Sequence, residues 1–133
     1  MFLVRLIYCS KPTETFNIQE AEDIVDKAAI FNTSQSITGL MCFSHSNILQ
    51  CLEGGRQQVN HLYQKILHDT RHKDIELLDY REIEVRDFNH WSMKLITSGS
   101  LDRDLVLKYS QSVDFDPYEM HGESCHQLLR SVC

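Results

Sequence analysis

Hydrophobic and polar positions along the chain alternate between the spacing of strands and that of helices. Phe2 to Cys9 is a run of strand-forming residues, and Pro12 in the polar loop that follows is expected to stop the strand. Asn17 and Glu20 then form an N-cap arrangement, and apolar residues recur at helical spacing from Ile18 to Asn32. The chain therefore predicts a strand followed by a helix.

The next two segments predict a hairpin and a second helix. Ile37 to Phe43 and Asn47 to Leu52 flank a short polar loop and are predicted to pair, with Gly54 and Gly55 breaking the second strand. From Val59 to Leu67, apolar residues fall at i, i+3, i+4, i+7 and i+8. That spacing is typical of a helix that packs on a core along one face.

Two further strands, Ile75 to Val85 and Trp91 to Thr97, complete the central pattern. The order β-α-β-β-α-β with one added strand predicts the α+β class, as a ferredoxin-like sheet with both helices on one face. Leu101 to Val113 and Glu119 to Val132 show patchy helical periodicity. They are predicted as two short C-terminal helices.

Chain length, net charge and cysteine content exclude several classes of protein. A chain of 133 residues has room for one ordinary core, so we predict a domain over residues 1–97 and a helical extension over residues 98–133. The net charge of −6 opposes binding to nucleic acid, and the longest apolar run is far shorter than the ~20 residues that cross a membrane. Five cysteines without a C-x-x-C pair argue against a disulfide framework and predict a reducing, cytoplasmic location.

Three polar side chains fall where the core is expected. Tyr8 and Gln50 lie on strand faces that are otherwise apolar, and Asn32 at the helix end can converge on the same region. A buried polar group without a partner costs about 1–3 kcal/mol, so all three require hydrogen bonds. They either bond to nearby backbone groups, or they bind the edge of a planar ligand held between apolar walls at Ile24 and Ile66. The pattern alone leaves both interpretations open.

An ordered set of motifs resembles that of the BLUF domains, which are blue-light sensors that use flavin. The resemblance extends from Phe2 to about Ile96, and L-V-L-K-Y-S at 105–110 is similar to the extension of short, stand-alone members. The motifs are L-V-R-L-I-Y-C-S near the start, Asn32, I-T-G-L at 37–40, L-Q-C-L-E-G at 49–54, D-T-R-H at 69–72 and W-S-M at 91–93. The resemblance favours the ligand interpretation and implies FAD or FMN between the helices.

The resemblance also implies a role for each polar residue of the site. Tyr8 matches the tyrosine that gives an electron and a proton to the excited flavin, and Gln50 matches the glutamine that switches its hydrogen bonds. Asn32 matches the asparagine that binds the flavin O4 and N3 edge. Further implied contacts are the walls Ile24 and Ile66, the ribityl phosphate ligands Lys65, Asp69, Arg71 and His72, and the signal relay Trp91 and Met93.

One residue departs from the pattern of the family. Phe31 stands where some members carry a second asparagine or a histidine, so a hydrogen bond to the flavin O2 edge is not implied here. We expect a blue-light photoreceptor that is not an enzyme. Its expected output is protein contact, either as a homo-oligomer or with an unidentified downstream regulatory protein.

Other classes of protein fit the sequence less well. A flavin-binding module without light output remains the nearest alternative. An acylphosphatase-type hydrolase on the same fold needs a glycine-rich loop after the first strand, which Cys9 to Pro12 does not supply. An RNA-binding module would show exposed aromatic residues amid positive charge. Scattered histidines such as His68 and His72 are more often surface residues than metal ligands, so we expect no metal.

Overall fold

The computed structural model describes residues 2–133 as one five-stranded sheet with helices on both faces. The strands are β1 (Leu3–Pro12), β2 (Thr38–Phe43), β3 (Ile48–Gly55), β4 (His72–Glu82) and β5 (Lys94–Thr97), in the spatial order β4-β1-β3-β2-β5. The α-helices are α1 (Ile18–Gln35), α2 (Arg56–Leu67), α3 (Arg103–Tyr109) and α4 (Gly122–Ser131). Neighbouring strands are antiparallel except β2 and β5, which are parallel. The predicted α+β, ferredoxin-like arrangement with an added strand is confirmed.

The first face of the sheet is covered by α1 and α2. Helix α1 begins where the Asn17 side chain accepts a hydrogen bond from the Glu20 backbone N–H at 2.9 Å, as the cap pattern predicts. It ends at Ser36, whose φ of 55° is left-handed. The apolar stripes of both helices pack on alternate residues of β1 and β3, because alternate strand side chains point to the same face. These strand residues are Val4, Leu6, Tyr8, Ile48 and Leu52.

The opposite face is covered by the C-terminal helices, which therefore complete the core. Helix α4 buries Cys125, Leu128 and Leu129 against the intervening residues of the strands. Those strand residues are Ile7, Cys9, Leu40, Cys42, Leu49 and Cys51. Burial on both faces explains why β1 and β3 consist of nearly continuous apolar runs. All five cysteines are free, and only Cys133 is exposed among them.

A buried ionic network joins α4 to the middle of the sheet. Glu53 on β3 is fully buried and accepts from Arg5 Nε on β1 at 2.9 Å. Arg5 Nη2 also contacts Asp87 Oδ2 at 2.9 Å, in the segment between β4 and β5. His126 Nε2 on α4 contacts the same Asp87 oxygen at 2.7 Å. The network thus connects two strands, the segment before β5 and the last helix.

The first strand extends three residues beyond its predicted end at Cys9, through the segment expected to be a loop, and it ends at Pro12. Pairing of β1 with β3 ends at Ser10, whereas pairing with β4 continues to Pro12. The N–H of Thr13 donates to Arg71 O at 3.0 Å on the β4 side, so the Pro12 nitrogen faces the side that β3 no longer occupies. Its missing N–H therefore leaves no acceptor without a donor.

The two glycines after Leu52 continue β3 instead of breaking it, and they pair with Leu3 and Val4. A side chain at Gly54 would lie 3.2–3.3 Å from Ile37 and Val59, so glycine allows α2 to pack closely. Other boundaries differ by a few residues. Helix α1 extends three residues further, β4 begins at His72, and β5 is shortened to Lys94–Thr97. No helix within residues 2–133 has the length and apolar composition that would span a bilayer.

Candidate functional site

A cleft of about 310 Å³ lies between α1 and α2, above the face of the sheet that they cover. All nine residues expected to bind the flavin line this cleft. They come from β1, α1, β3, α2, the turn after α2 and the first residue of β4. The remaining lining residues are Phe16, Lys27, Ala28, Phe31, Met41, Ile48 and Leu62.

The floor of the cleft carries a buried pair of polar side chains. Tyr8 and Gln50 are opposite each other in the register of β1 and β3, and both are almost wholly buried. The Tyr8 hydroxyl donates to Gln50 Oε1. Gln50 Nε2 points to the sulfur of Met93 at 3.7 Å. Burial raises the pKa of Tyr8 well above its ordinary value, and the nearby Tyr63 and Asp69 add to this effect. The phenol is therefore neutral, with its proton directed at Gln50.

Asn32 stands at one end of the cleft with an oxygen that has no partner. Its Nδ2 donates to Ser92 O at 2.8 Å, which fixes the orientation of the amide. Its Oδ1 is buried and accepts no hydrogen bond from any residue in the described range. Because leaving a buried acceptor unpaired costs about 1–3 kcal/mol, the geometry calls for a donor supplied by a ligand.

The sides of the cleft are mainly apolar. Ile24 on α1 and Ile66 on α2 are half-buried and pack against the same core as Tyr8. Phe31 lies nearer the rim, with Lys65 Nζ at 4.6 Å from the centre of its ring. A cation over an aromatic face is attracted to it, so Phe31 positions Lys65. The cleft thus combines aliphatic walls with a positive charge at the rim, as a planar ligand with an anionic tail requires.

Residues 69–72 form a polar corner at the rim. Arg71 Nε donates to Asp69 Oδ1 at 2.9 Å, and this hydrogen bond holds the pKa of Asp69 below its usual value. His72 is held by the protein at both ring nitrogens, since Nε2 lies 2.8 Å from Ile66 O and Nδ1 lies 2.8 Å from Ser10 Oγ. A carbonyl only accepts, so Nε2 carries a proton. The predicted contact of His72 with a phosphate tail stays a prediction.

The two residues expected to relay a signal lie on opposite faces of the sheet. Met93 is buried on the cleft face beside Gln50. Trp91 belongs to the apolar cluster under α3 and α4, and Lys94 Nζ lies 4.4 Å from the centre of its ring. In this structure Met93, and not Trp91, is therefore the neighbour of the Gln50 amide.

Tyr63 and Lys27 are two residues at this site that the sequence analysis did not single out. The Tyr63 ring lies 5.7 Å from that of Tyr8, measured between centroids. Its position in the apolar stripe of α2 gave only a packing signal. Lys27 lines the rim on α1 and resembles any exposed helical lysine in sequence.

Comparison with known proteins identifies the family and supports the fold. The model of the BLUF family, described as sensors of blue light using FAD, matches residues 3–94. The blue light- and temperature-regulated antirepressor BluF of Escherichia coli K12 is 35% identical over 108 residues, covering 80% of this chain and 26% of that protein. A photoactivated adenylate cyclase subunit beta of Euglena gracilis is 29% identical over 100 residues, covering 74% and 12%. The chain thus spans about a quarter or less of these curated relatives.

Solved structures agree with this assignment along almost the whole chain. BlsA in its photo-activated state superposes with a TM-score of 0.88 at 29% identity, covering 98% of this chain and 94% of that one. The dark state of BlrB, a BLUF protein, gives a TM-score of 0.83 at 25% identity with the same coverage. The chain belongs to the BLUF family of flavin-based blue-light sensors. The predicted family, its flavin cofactor and the nature of the matched region as a sensor domain are confirmed.

The residues of the cleft fit a flavin. The edge of its ring system carries an N–H donor between two carbonyl acceptors, and the unpaired Asn32 Oδ1 offers the acceptor that such a donor needs. The second hydrogen of Asn32 Nδ2 remains for a carbonyl. Ile24 and Ile66 supply apolar walls, while Lys27, Lys65 and Arg71 add positively charged groups to the lining that would suit an anionic tail.

Proposed function

We propose that this chain is a blue-light photoreceptor in which Tyr8 gives an electron and a proton to the excited flavin and Gln50 switches its hydrogen bonds. The observation that carries this proposal is the buried hydrogen bond from the Tyr8 hydroxyl to Gln50 Oε1 on the cleft floor. A bound flavin supplies the absorption of blue light and accepts the electron. Membership of a family of blue-light sensors supports the same conclusion.

The environment of Tyr8 couples its electron to its proton. Burial raises the pKa of the phenol, so Tyr8 stays protonated before it loses an electron. An oxidised phenol is strongly acidic, and its hydrogen bond leads to Gln50, so the proton leaves along that path. This arrangement favours the concerted loss of the electron and the proton from Tyr8.

The amide of Gln50 is suited to respond when Tyr8 loses its electron and proton. A carboxamide both donates and accepts, and here Oε1 faces Tyr8 while Nε2 faces Met93. Rotation or tautomerisation of the amide would present a donor to Tyr8 and change the contact with Met93. The residues on β5 and just before it would then carry the change away from the cleft.

The cofactor contacts form the second part of the proposal. Asn32 anchors the polar edge of the flavin, Ile24 and Ile66 hold the faces of its ring, and Lys65 and Arg71 bind the tail. Aliphatic walls suit a photosensor because they provide packing without donating electrons themselves. Asp69 orients Arg71 through their paired hydrogen bonds.

The test is an absorption spectrum of the purified protein before and after blue light. We expect a yellow protein whose flavin bands shift to the red under illumination and return in the dark. A colourless protein would contradict flavin binding. A yellow protein without a reversible shift would reduce the function to flavin binding alone.

The output is proposed to be a change in protein contact through the C-terminal helices of residues 98–133, which extend the sensor domain of residues 1–97. Trp91 packs beneath these helices while Met93 touches Gln50, so the segment that joins β4 to β5 contacts both sides of the sheet. The partner is a second copy of the chain or a downstream regulatory protein. Free, mostly buried cysteines suit the cytoplasm as its location.

Light should change the oligomer or the exposure of the C-terminal helices. Size-exclusion chromatography and amide hydrogen exchange, each in darkness and under blue light, measure these two quantities. We expect faster exchange in α4 or a different elution volume in the light. Identical results by both methods would refute this output.

A further inference from the structure

Tyr8 has an oxidisable aromatic neighbour that the proposed photochemistry does not use. The ring of Tyr63 lies 5.7 Å from that of Tyr8 at an interplanar angle of 48°, which is the separation of aromatic rings in contact. The other ring beside Tyr8 belongs to His72, at 6.2 Å. An imidazole is much harder to oxidise than a phenol, so Tyr63 is the neighbour that can exchange an electron with Tyr8.

The position of Tyr63 connects the buried cleft floor to solvent. Tyr8 is 2% exposed, whereas Tyr63 on α2 is only partly buried. The Tyr63 hydroxyl makes no hydrogen bond to any residue of the described range, so it is free for a partner from solution. One side of the phenol therefore touches Tyr8 and the other meets the solution.

We propose that Tyr63 is an electron relay between Tyr8 and small one-electron reductants of the ascorbate class. This relay would give the domain a second light-driven activity, the reduction of its flavin at the expense of a dissolved donor. The inference rests on the proposed function, because it begins when Tyr8 has been oxidised. Reduction of the oxidised Tyr8 by Tyr63 would compete with the return of the electron and proton from the flavin to Tyr8.

The steps balance as one electron transfer with its protons, followed by one hydrogen-atom transfer. One electron passes from Tyr63 to the oxidised Tyr8, the O–H bond of Tyr63 breaks and its proton goes to water, and Tyr8 takes back the proton that it gave along its hydrogen bond to Gln50. Ascorbate then gives one electron and one proton to the Tyr63 oxygen and becomes the ascorbyl radical. The flavin keeps the electron that it received from Tyr8.

The environments of the two phenols favour this direction. Both are tyrosines, so exchange between them is close to thermoneutral apart from their surroundings. Tyr63 is better solvated, which eases the release of its proton on oxidation. The buried position of Tyr8 prevents direct contact with ascorbate, whereas Tyr63 presents its oxygen to the solution.

The experiment uses the full chain with bound flavin, without oxygen, under continuous blue light and with ascorbate. Loss of the flavin absorption band measures its reduction. Tyr63→Phe keeps the ring and removes an unbonded hydroxyl, so the fold and the reversible red shift should persist. We expect its rate of bleaching to fall to the rate seen without ascorbate. Tyr80→Phe, which alters an exposed tyrosine on β4 without ring contact to Tyr8, should bleach at the wild-type rate.

A second measurement locates the radical independently of the flavin spectrum. Illumination with a nitroso spin trap, followed by peptide mass spectrometry, should find an adduct at Tyr63 in the wild type. Equal bleaching of Tyr63→Phe and wild type, or an adduct at other tyrosines only, would overturn the relay. A wild-type protein without a reversible red shift would instead refute the proposed photoreceptor function, so the two failures are distinguishable.

Discussion

Replacement of Tyr8 by phenylalanine should abolish the light-induced red shift and leave the protein yellow. The phenyl ring preserves the packing beneath α2, so the cleft keeps its shape and its flavin. What is lost is the hydroxyl that donates to Gln50, and with it the phenol that is proposed to supply an electron and a proton. Without them the Gln50 amide has no reason to change its hydrogen bonds after illumination. Difference spectra between dark and illuminated samples measure the result.

The matched control for this variant is Tyr109→Phe. Tyr109 lies on α3, on the opposite face of the sheet, where its hydroxyl is 3.0 Å from Ser131 Oγ. This variant should shift and recover as the wild type does. A complete red shift in Tyr8→Phe would show that Tyr8 is not the donor and would refute the mechanism assigned to it.

Replacement of Glu53 by alanine should destabilise the fold by about 3–5 kcal/mol, the usual cost of removing one partner from a buried ion pair. Glu53 accepts from Arg5 Nε at 2.9 Å and from the backbone N–H groups of Asp87 and Phe88 at 3.1 and 2.8 Å. Its removal leaves the buried Arg5 guanidinium with Asp87 alone, and two backbone donors without this acceptor. Urea unfolding of the full chain measures the loss.

An exposed ion pair provides the comparison for that measurement. Glu82 on β4 contacts Arg56 on α2, and both side chains are about half exposed. Its replacement by alanine should cost only about 0–1 kcal/mol, because water screens such pairs. Similar losses for Glu53→Ala and Glu82→Ala would show that the buried network contributes no more than a surface contact.

Much of the fold and many residues of the cleft could be predicted, because they depend on the local pattern of hydrophobic and polar residues. The alternation along β1 and β3 predicts which side chains share a face, and the stripe of α2 predicts the side that packs on the sheet. Tyr8 and Gln50 stood out as polar residues on those apolar faces. The ordered motifs then indicated the family and its cleft residues, all nine of which line one cavity.

Features that depend on contacts between distant segments were not predictable. Trp91 and Met93 would share a face in a regular strand, yet β5 begins only at Lys94 and the bend before it separates them. The placement of α4 against the second face, and the pairing of Arg5 with Glu53, require the tertiary fold. Tyr63 gave a packing signal in sequence, and only its distance from Tyr8 suggests another role.

The shortness of β5 has a consequence for register. Its four residues pair with Leu40 to Phe43 of β2 at the edge of the sheet, whereas β1 pairs along its length on both sides. A slip of one residue in a strand transfers every side chain to the other face, and here only four pairs oppose it. Such a slip would exchange Leu95 and Ile96 between the face that α1 and α2 cover and the face that the C-terminal helices cover. The strand that follows Met93, the neighbour of the Gln50 amide, is thus the one held in register by the fewest residue pairs.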